Sequence, residues 1–341
     1  MEILLTNVAY GPTYAHLFLD NHLNSMLDES NIPAYATDVS YIIWTDDKTE
    51  PVIKKHPNFM RLVSTLGPDK VECRTFSWKP NANTFGMRYN VIWRCMIESI
   101  GIALEKGNCL VGPWVADLVM GQYFLPKVME RINEGHDAVF MLPARGTAEG
   151  IDPHLAKIEG ALPAPELFKL VFQNMHGLWQ HCLWNNPLFT QLPYTLLWNS
   201  SHGLLARTYS ITPILFKPKP EMMKTSKVLD IEIPTMFDNP YWASDWTEAP
   251  VVGVEPVTCY LNKYDAAKPA GNWIREWAGG HTESGVRQFL RRPLYYPNKE
   301  LAKIPRDIEM AAETITKLLL VGEGETNVGK ESDSSMGGQR W

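Results

Sequence analysis

The sequence predicts an α/β fold: one domain with a mainly parallel central sheet and a decorated C-terminal half. Three observations predict it. Short apolar runs alternate with segments of helical period over the first 145 residues, and strands joined by crossover helices build a parallel sheet. The runs are bounded by Gly, Pro, Asn and Asp, which end elements cleanly. Beyond Arg145 the texture changes, with Pro153, Pro163, Pro165, Pro187, Pro193 and Pro213 separating shorter elements. The chain therefore divides into residues 1–145, residues 146–320 completing the same domain, and a Gly-, Ser- and charge-rich tail, 321–341, read as disordered.

Glu2 to Val8 reads as the first strand, and Ala9-Tyr-Gly-Pro-Thr13 as the turn into a helix from Tyr14 to Leu27 with Leu19, Leu23, Met26 and Leu27 inward. Ser40 to Trp44 is the second strand. A helix from Thr49 to Leu66, broken near Pro57, leads to a third strand, Lys70 to Phe76. Met87 to Lys106 sets Ile92, Met96, Ile100 and Ala103 on one helical side, and Gly107-Asn108 closes it. Cys109-Leu-Val111 is the inner part of a buried strand. Gly112-Pro113 predicts a turn there, with a loop to Met120 that carries Trp114 and Asp117. From Gly121 a helix turns Phe124, Leu125, Val128, Met129 and Ile132 inward, and Asp137 to Leu142 returns as a strand. Later come a helix over Pro165 to Leu183, strands in Ser201 to Phe216 broken at Pro213, and an alternating Val228 to Pro234 with Asp230 and Glu232 on one face. Residues 251 to 261 are strand-like.

Composition removes several classes of function. A net charge of -6 gives no broad basic field, so nucleic acid is not an expected partner. No run approaches the ~18 apolar residues of a spanning helix, and the N-terminus lacks a basic segment followed by an apolar one, so a cytoplasmic chain with no transmembrane segment is expected. Five widely spaced cysteines without a C-x-x-C pair fit reduced thiols. Neither G-x-G-x-x-G nor G-x-x-x-x-G-K-[ST] occurs, which removes the dinucleotide fingerprint and the P-loop.

The succession β-α-β-α-β, a helix bearing Gly86-Met-Arg88-Tyr-Asn90, and a strand ending in an acidic loop resembles the nucleotide-sugar-binding half of GT-A-fold glycosyltransferases, which is Rossmann-like. In that superfamily the helix often carries an Arg-Asn pair, and the strand ends in Asp-x-Asp, which holds a divalent metal on the donor diphosphate. Pro113-Trp-Val-Ala-Asp117-Leu-Val has one carboxylate where the pattern has two. Ala116-Asp-Leu-Val, Arg131-Ile-Asn-Glu-Gly-His-Asp-Ala-Val-Phe, His202-Gly-Leu-Leu with Thr212-Pro, Leu229-Asp-Ile-Glu and Ser244-Asp-Trp-Thr-Glu are similar in order and spacing to a group of bacterial glycosyltransferase-like proteins. The resemblance makes residues 1–145 the donor half and 146–320 the acceptor side.

Such a donor needs a pocket for its base, charge against the diphosphate, and, in an inverting transfer, a carboxylate to take the acceptor's proton. Tyr10 is placed to stack a base, with Asp46 or Asp47 accepting its N–H; the same residues also read as a turn tyrosine and a helix cap. Arg88 with Asn90 suits a phosphate, or a helix surface. Asp117, at a strand end, is the candidate donor and metal residue, holding Mg or Mn whose other ligands are waters and phosphate oxygens. His202 is a candidate phosphate contact, and Asp230, Glu232 and Asp245 are candidates for the base or a second metal ligand. Trp179, Trp184 and Trp198 read as core or acceptor platform, and His176 with His181 do not share a helical face. Two functions follow: a glycosyltransferase acting from a nucleotide-sugar donor on a glycan or other polar acceptor, or a catalytically inactive GT-A-like protein binding a nucleotide, a glycan or a protein.

Overall fold

The computed structural model describes residues 1–76, 85–189, 195–200, 203–208, 210–225, 232–259, 266–267, 293–297 and 306–320. In chain order the strands are β1 (Glu2–Val8), β2 (Val39–Thr45), β3 (Val71–Thr75), β4 (Cys109–Val115), β5 (Leu118–Met120), β6 (Ala138–Met141), β7 (Ala144–Thr147), β8 (Leu188–Phe189), β9 (Thr195–Ser200), β10 (Gly203–Thr208), β11 (Thr212–Phe216), β12 (Pro240–Trp242), β13 (Val251–Glu255), β14 (Ala266–Ala267) and β15 (Leu294–Pro297). Seven of them form the central sheet, in the order β12-β6-β11-β4-β1-β2-β3. Only β11 runs against its neighbours; the β3-β2, β2-β1, β1-β4 and β6-β12 pairs are parallel. The chain is thus α/β with a mainly parallel central sheet. A small sheet, β5-β13-β7, follows the ends of β4 and β6.

A strand covered on both faces reads as an unbroken apolar run rather than an alternating one. β1 shows it: Ile3 and Leu5 join one hydrophobic cluster, Leu4 and Val8 the other. The first cluster is covered by α1 (Gly11–His16), a π-helical turn (Leu17–His22), α2 (Leu23–Met26), α4 (Pro57–Leu66) and α6 (Phe124–Asn133). The second is covered by α5 (Phe85–Lys106), through Val91, Cys95, Met96, Ile100 and Ala103. α3 (Glu50–Lys55) ends before Pro57, as the sequence predicts. α7 (Ala148–Leu155), α8 (Ala164–Gln173), α9 (Gly177–Gln180) and α10 (Arg306–Leu320) complete the described helices. All five cysteines are free thiols.

Three expectations need correction. The chain does not turn at Gly112-Pro113; β4 continues to Val115 and only Ala116-Asp117 turn. A proline withholds a ladder donor, yet Pro113 sits opposite Thr6 in the parallel register. The described pairing of β11 with β4 is confined to Phe216 opposite Val111, and the Trp114 indole N–H donates to the Ile214 carbonyl at 2.7 Å. That carbonyl, near Pro113 in the antiparallel count, is satisfied by a side chain instead. Second, the Pro165 to Leu183 helix is two helices: the chain leaves helical geometry at Asn174, and His176 caps α9, its ring accepting from the Leu178 amide. Third, Glu232 precedes a short 3-10 turn, Ile233–Met236, and is not in an extended segment. Residues 321–341 lie outside the described residues.

On the helical face, His16 joins three segments. Its Nδ1 meets Asp20 at 2.7 Å and its Nε2 meets Asp152 of α7 at 3.2 Å. Carboxylates only accept, so both ring nitrogens must donate and the ring is an imidazolium. Burial works against that charge, but the two aspartates outweigh it and raise the pKa above its ordinary 6.5. The stabilisation is complete below about pH 6.5, the value in the unfolded chain, and is lost as pH rises through the higher folded value. The urea midpoint of the wild type should therefore exceed that of His16→Gln at pH 6 and converge with it at alkaline pH. A gap that does not change with pH would dismiss the bridge.

Candidate functional site

In an open α/β sheet, ligands bind beyond the carboxyl ends of the strands, where the strand order reverses. Here the order reverses at β1. The chain moves outward through β2 and β3, then returns to place β4 on the other side of β1. Val8 and Val115 stand opposite one another at the end of this pair. The loops leaving β1, β2 and β4 carry Tyr10, Asp46-Asp47 and Asp117, so the fold brings these sequence-predicted residues to the same edge of the sheet.

The loops after β1 and β2 are tied together. Gly11 has φ +73°, a left-handed conformation that glycine adopts without strain. Its amide donates to Asp46 Oδ2 at 3.2 Å and to Thr49 Oγ1 at 2.9 Å. Asp46 also accepts from the Lys48 and Thr49 amides and from the Thr49 hydroxyl. Burial pushes its pKa up, but these hydrogen bonds together bring it below the ordinary value. Four donors occupy the lone pairs of one carboxylate. Asp46 is thus a clamp between two loops, and Asp47 is the exposed carboxylate beside it. Tyr10, half-buried, sets its ring edge-on to Phe76, which follows β3, at 5.5 Å.

Asp117 occupies the tight turn between β4 and β5. Its carbonyl accepts from the Val254 amide at 2.7 Å, fixing the turn to β13. Burial raises the pKa of its carboxyl, opposed by the charge of Arg145. Arg145 belongs to β7, where it pairs with Gly253 of β13, itself opposite Leu118 of β5. The Arg145 side chain lies over Gly253, with its Cγ 3.4 Å from where a β-carbon there would stand. Its guanidinium pairs with Glu255 Oε1. Glu255 is 2% exposed, and its other oxygen has no hydrogen-bond partner among the described residues. Arg145 and Glu255 are absent from the sequence-based list of candidates. The available signal was the acid that ends the apolar run Val251-Val-Gly-Val-Glu255.

Behind the turn runs a buried polar chain. Asn7 Nδ2 donates to the Val115 carbonyl at 3.0 Å, and the Tyr41 hydroxyl contacts Asn7 Oδ1. His22 Nε2 lies 2.9 Å from that hydroxyl, and His22 Nδ1 lies 2.7 Å from the Leu118 carbonyl. The two carbonyls flank Ala116-Asp117, so β1, β2 and the π-helical turn together hold the loop from inside.

The remaining candidates separate from this group or fall outside the described residues. Asp245 caps the 3-10 turn Trp246–Glu248, its Oδ1 accepting from the Thr247 amide at 2.8 Å. Trp114 is 1% exposed and belongs to the core, not to a ligand loop. Trp179 is buried, and Trp184 stacks on Trp198 at 5.6 Å. Asn90 is exposed on α5, and Arg88 lies in the same helix at a position whose side chain is outside the described residues. His202 and Asp230 are also outside the described residues. Among the described residues, no three His, Cys, Asp or Glu side chains gather as a metal cage, and no described helix is long and apolar enough to cross a membrane.

No protein-family model matches the chain, and no curated protein matches it. Among solved structures, one described as a glucose-1-phosphate thymidylyltransferase from Bacillus anthracis in complex with sucrose is similar at 15% identity and a TM-score of 0.24. That similarity covers 44% of this chain and 58% of the other.

Proposed function

We propose that the chain is a transferase that binds a nucleotide-sugar donor in the crevice between the ends of β1 and β4 and passes the sugar to a glycan or other polar acceptor. The observation that carries this reading is the gathering of Tyr10, Asp47 and Asp117 beyond three parallel strands, around the point where the strand order reverses. In this reading Tyr10 stacks the base and Asp47 accepts from it, with Asp46 fixing both loops. Arg88 supplies charge to the diphosphate, and Asn90 of the same helix is a further candidate for donor contact. Asp117 would be the chain's ligand to a Mg or Mn ion, which when bound would supply positive charge against the leaving diphosphate. Asp230 and Asp245 are the candidates for the base that takes the acceptor's proton, or for a second metal ligand, and His202 for a phosphate contact. The second reading, a binding protein without transfer activity, is favoured by the single carboxylate at the turn and by the Arg145–Glu255 pair beside it.

A thermal-shift panel of UDP, GDP, CMP and dTDP sugars, each with and without Mn²⁺, tests the proposal. A donor at a hundred times its Kd adds about 2.7 kcal/mol to stability, so one base class should stand out, and more strongly with the ion. No shift from any donor would overturn the donor site.

A further inference from the structure

The chain from Val115 to Leu118 through Asn7, Tyr41 and His22 makes four contacts, and its hydrogens can be counted. Both ends are backbone carbonyls, which only accept. The Asn7 amide donates to Val115 at 3.0 Å, which leaves its oxygen toward Tyr41. His22 Nδ1 must donate to the Leu118 carbonyl, 2.7 Å away. The two central contacts, Asn7 Oδ1 to the phenol and the phenol to His22 Nε2, each need a hydrogen, and the phenol has one. Turning the Asn7 amide over moves the deficit to Val115 and does not remove it. With a neutral imidazole the chain is one proton short; with an imidazolium every contact is filled.

We propose that His22 is a positioning residue for the Asp117 turn, whose hold on that turn is complete only when its ring carries a second proton. One aromatic face that accepts such a charge lies against the ring, that of Phe18, stacked at 5.7 Å, while Trp114 meets it edge-on at 5.7 Å. Tyr41 on β2 is the titratable group in contact with it, and burial keeps that phenol protonated. From β1 the polar neighbour is Asn7, and from β5 it is the Leu118 backbone; Asp117 precedes Leu118, with Arg145 facing it. Burial works the other way and pushes the His22 pKa down to about 4. Desolvation and the unfilled contact therefore oppose each other at one ring. In the neutral state one central contact opens, and the Val115 and Leu118 carbonyls lose their common tether. The importance of this for catalysis rests on Asp117 being the donor-site carboxylate; the proton count does not.

The test is NMR of the His22 ring and of the Asp117 and Val254 amides in the full chain, from about pH 8 down to the onset of acid unfolding, in wild type and in Tyr41→Phe. In the variant His22 keeps only its bond to the Leu118 carbonyl, and a second proton on Nε2 gains no partner. The wild-type ring and both amides should titrate with one midpoint, and that midpoint should fall by about one pH unit or more in Tyr41→Phe, a tenfold weaker hold on the proton. A ring that stays neutral down to acid unfolding overturns the proposal. So does protonation without a response at Asp117 and Val254, or an unchanged midpoint in the variant. If Tyr41→Phe does not fold, the wild-type co-titration alone decides. No nucleotide is present, so failure of the donor site and failure of this proposal are separate results.

Discussion

Trp114→Ala should destabilise the fold by about 3–5 kcal/mol, the range for emptying a buried aromatic site. The indole is 1% exposed and lies at 5.7 Å from the His22 ring and 5.8 Å from Phe124. It also holds the Ile214 carbonyl, which Pro113 cannot reach with an amide it lacks. Loss of the ring thus opens a cavity between β4 and α6 and leaves a buried carbonyl unsatisfied. Trp114→Phe separates the two: it keeps most of the apolar volume, so its cost should be about 1–3 kcal/mol, that of the orphaned acceptor with a smaller void. Urea unfolding of the three proteins decides. A loss below about 1 kcal/mol for Ala would mean that the site collapses and that Trp114 does not brace β4 against β11.

Asp117→Asn should remove the metal-dependent part of donor binding. A carboxylate beside a diphosphate is tolerable with a cation between them, and one carboxylate alone holds Mg²⁺ or Mn²⁺ weakly. Metal and nucleotide should then tighten each other by the same factor, on the order of tenfold or more. Asparagine keeps the size and the turn propensity of the residue and removes its charge. Arg145 retains its pairing with Glu255, so the fold should persist. Calorimetry of the nucleoside diphosphate with Mn²⁺ and with chelator should show a large difference in the wild type and none in the variant. Equal affinity in chelator for the wild type would assign the diphosphate to basic groups alone.

The parallel sheet was legible because strands buried on both faces leave short apolar runs without alternation, as in Ile3 to Leu5 and Tyr41 to Trp44. The helices were legible where their period holds, as in α6, whose five predicted inward residues are all buried. Misreadings arose where a long-range contact replaced a local one. Gly112-Pro113 looks like punctuation until the Trp114 indole is seen to supply a donor to a strand 100 residues away. His22, Asn21 and Phe18 were missed because the π-helical turn widens the helix and buries five of its six residues, more than a 3.6 period allows. The placement of Tyr10, Asp46, Asp47 and Asp117 beyond strand ends was legible from sequence, although β4 runs to Val115 and not only to Val111. Arg145 and Glu255 were not legible, since their pairing spans 110 positions.

The insertion of β11 between β4 and β6 has a consequence for how the molecule is made. β6 has no partner among the strands that precede it; its neighbours, β11 and β12, begin at Thr212 and Pro240. A nascent chain that has emerged only as far as residue 145 therefore carries two open edges, on β4 and on β6, that nothing yet synthesised can cover. Closing the sheet waits for a segment roughly 70 residues further on, and that loop must be drawn in before any pairing rewards it. During that interval the β1-β2-β3-β4 block is a sheet without its other half, open to pairing with another nascent chain. Ribosome spacing and chaperone occupancy over this stretch of the message would then govern the yield of folded protein.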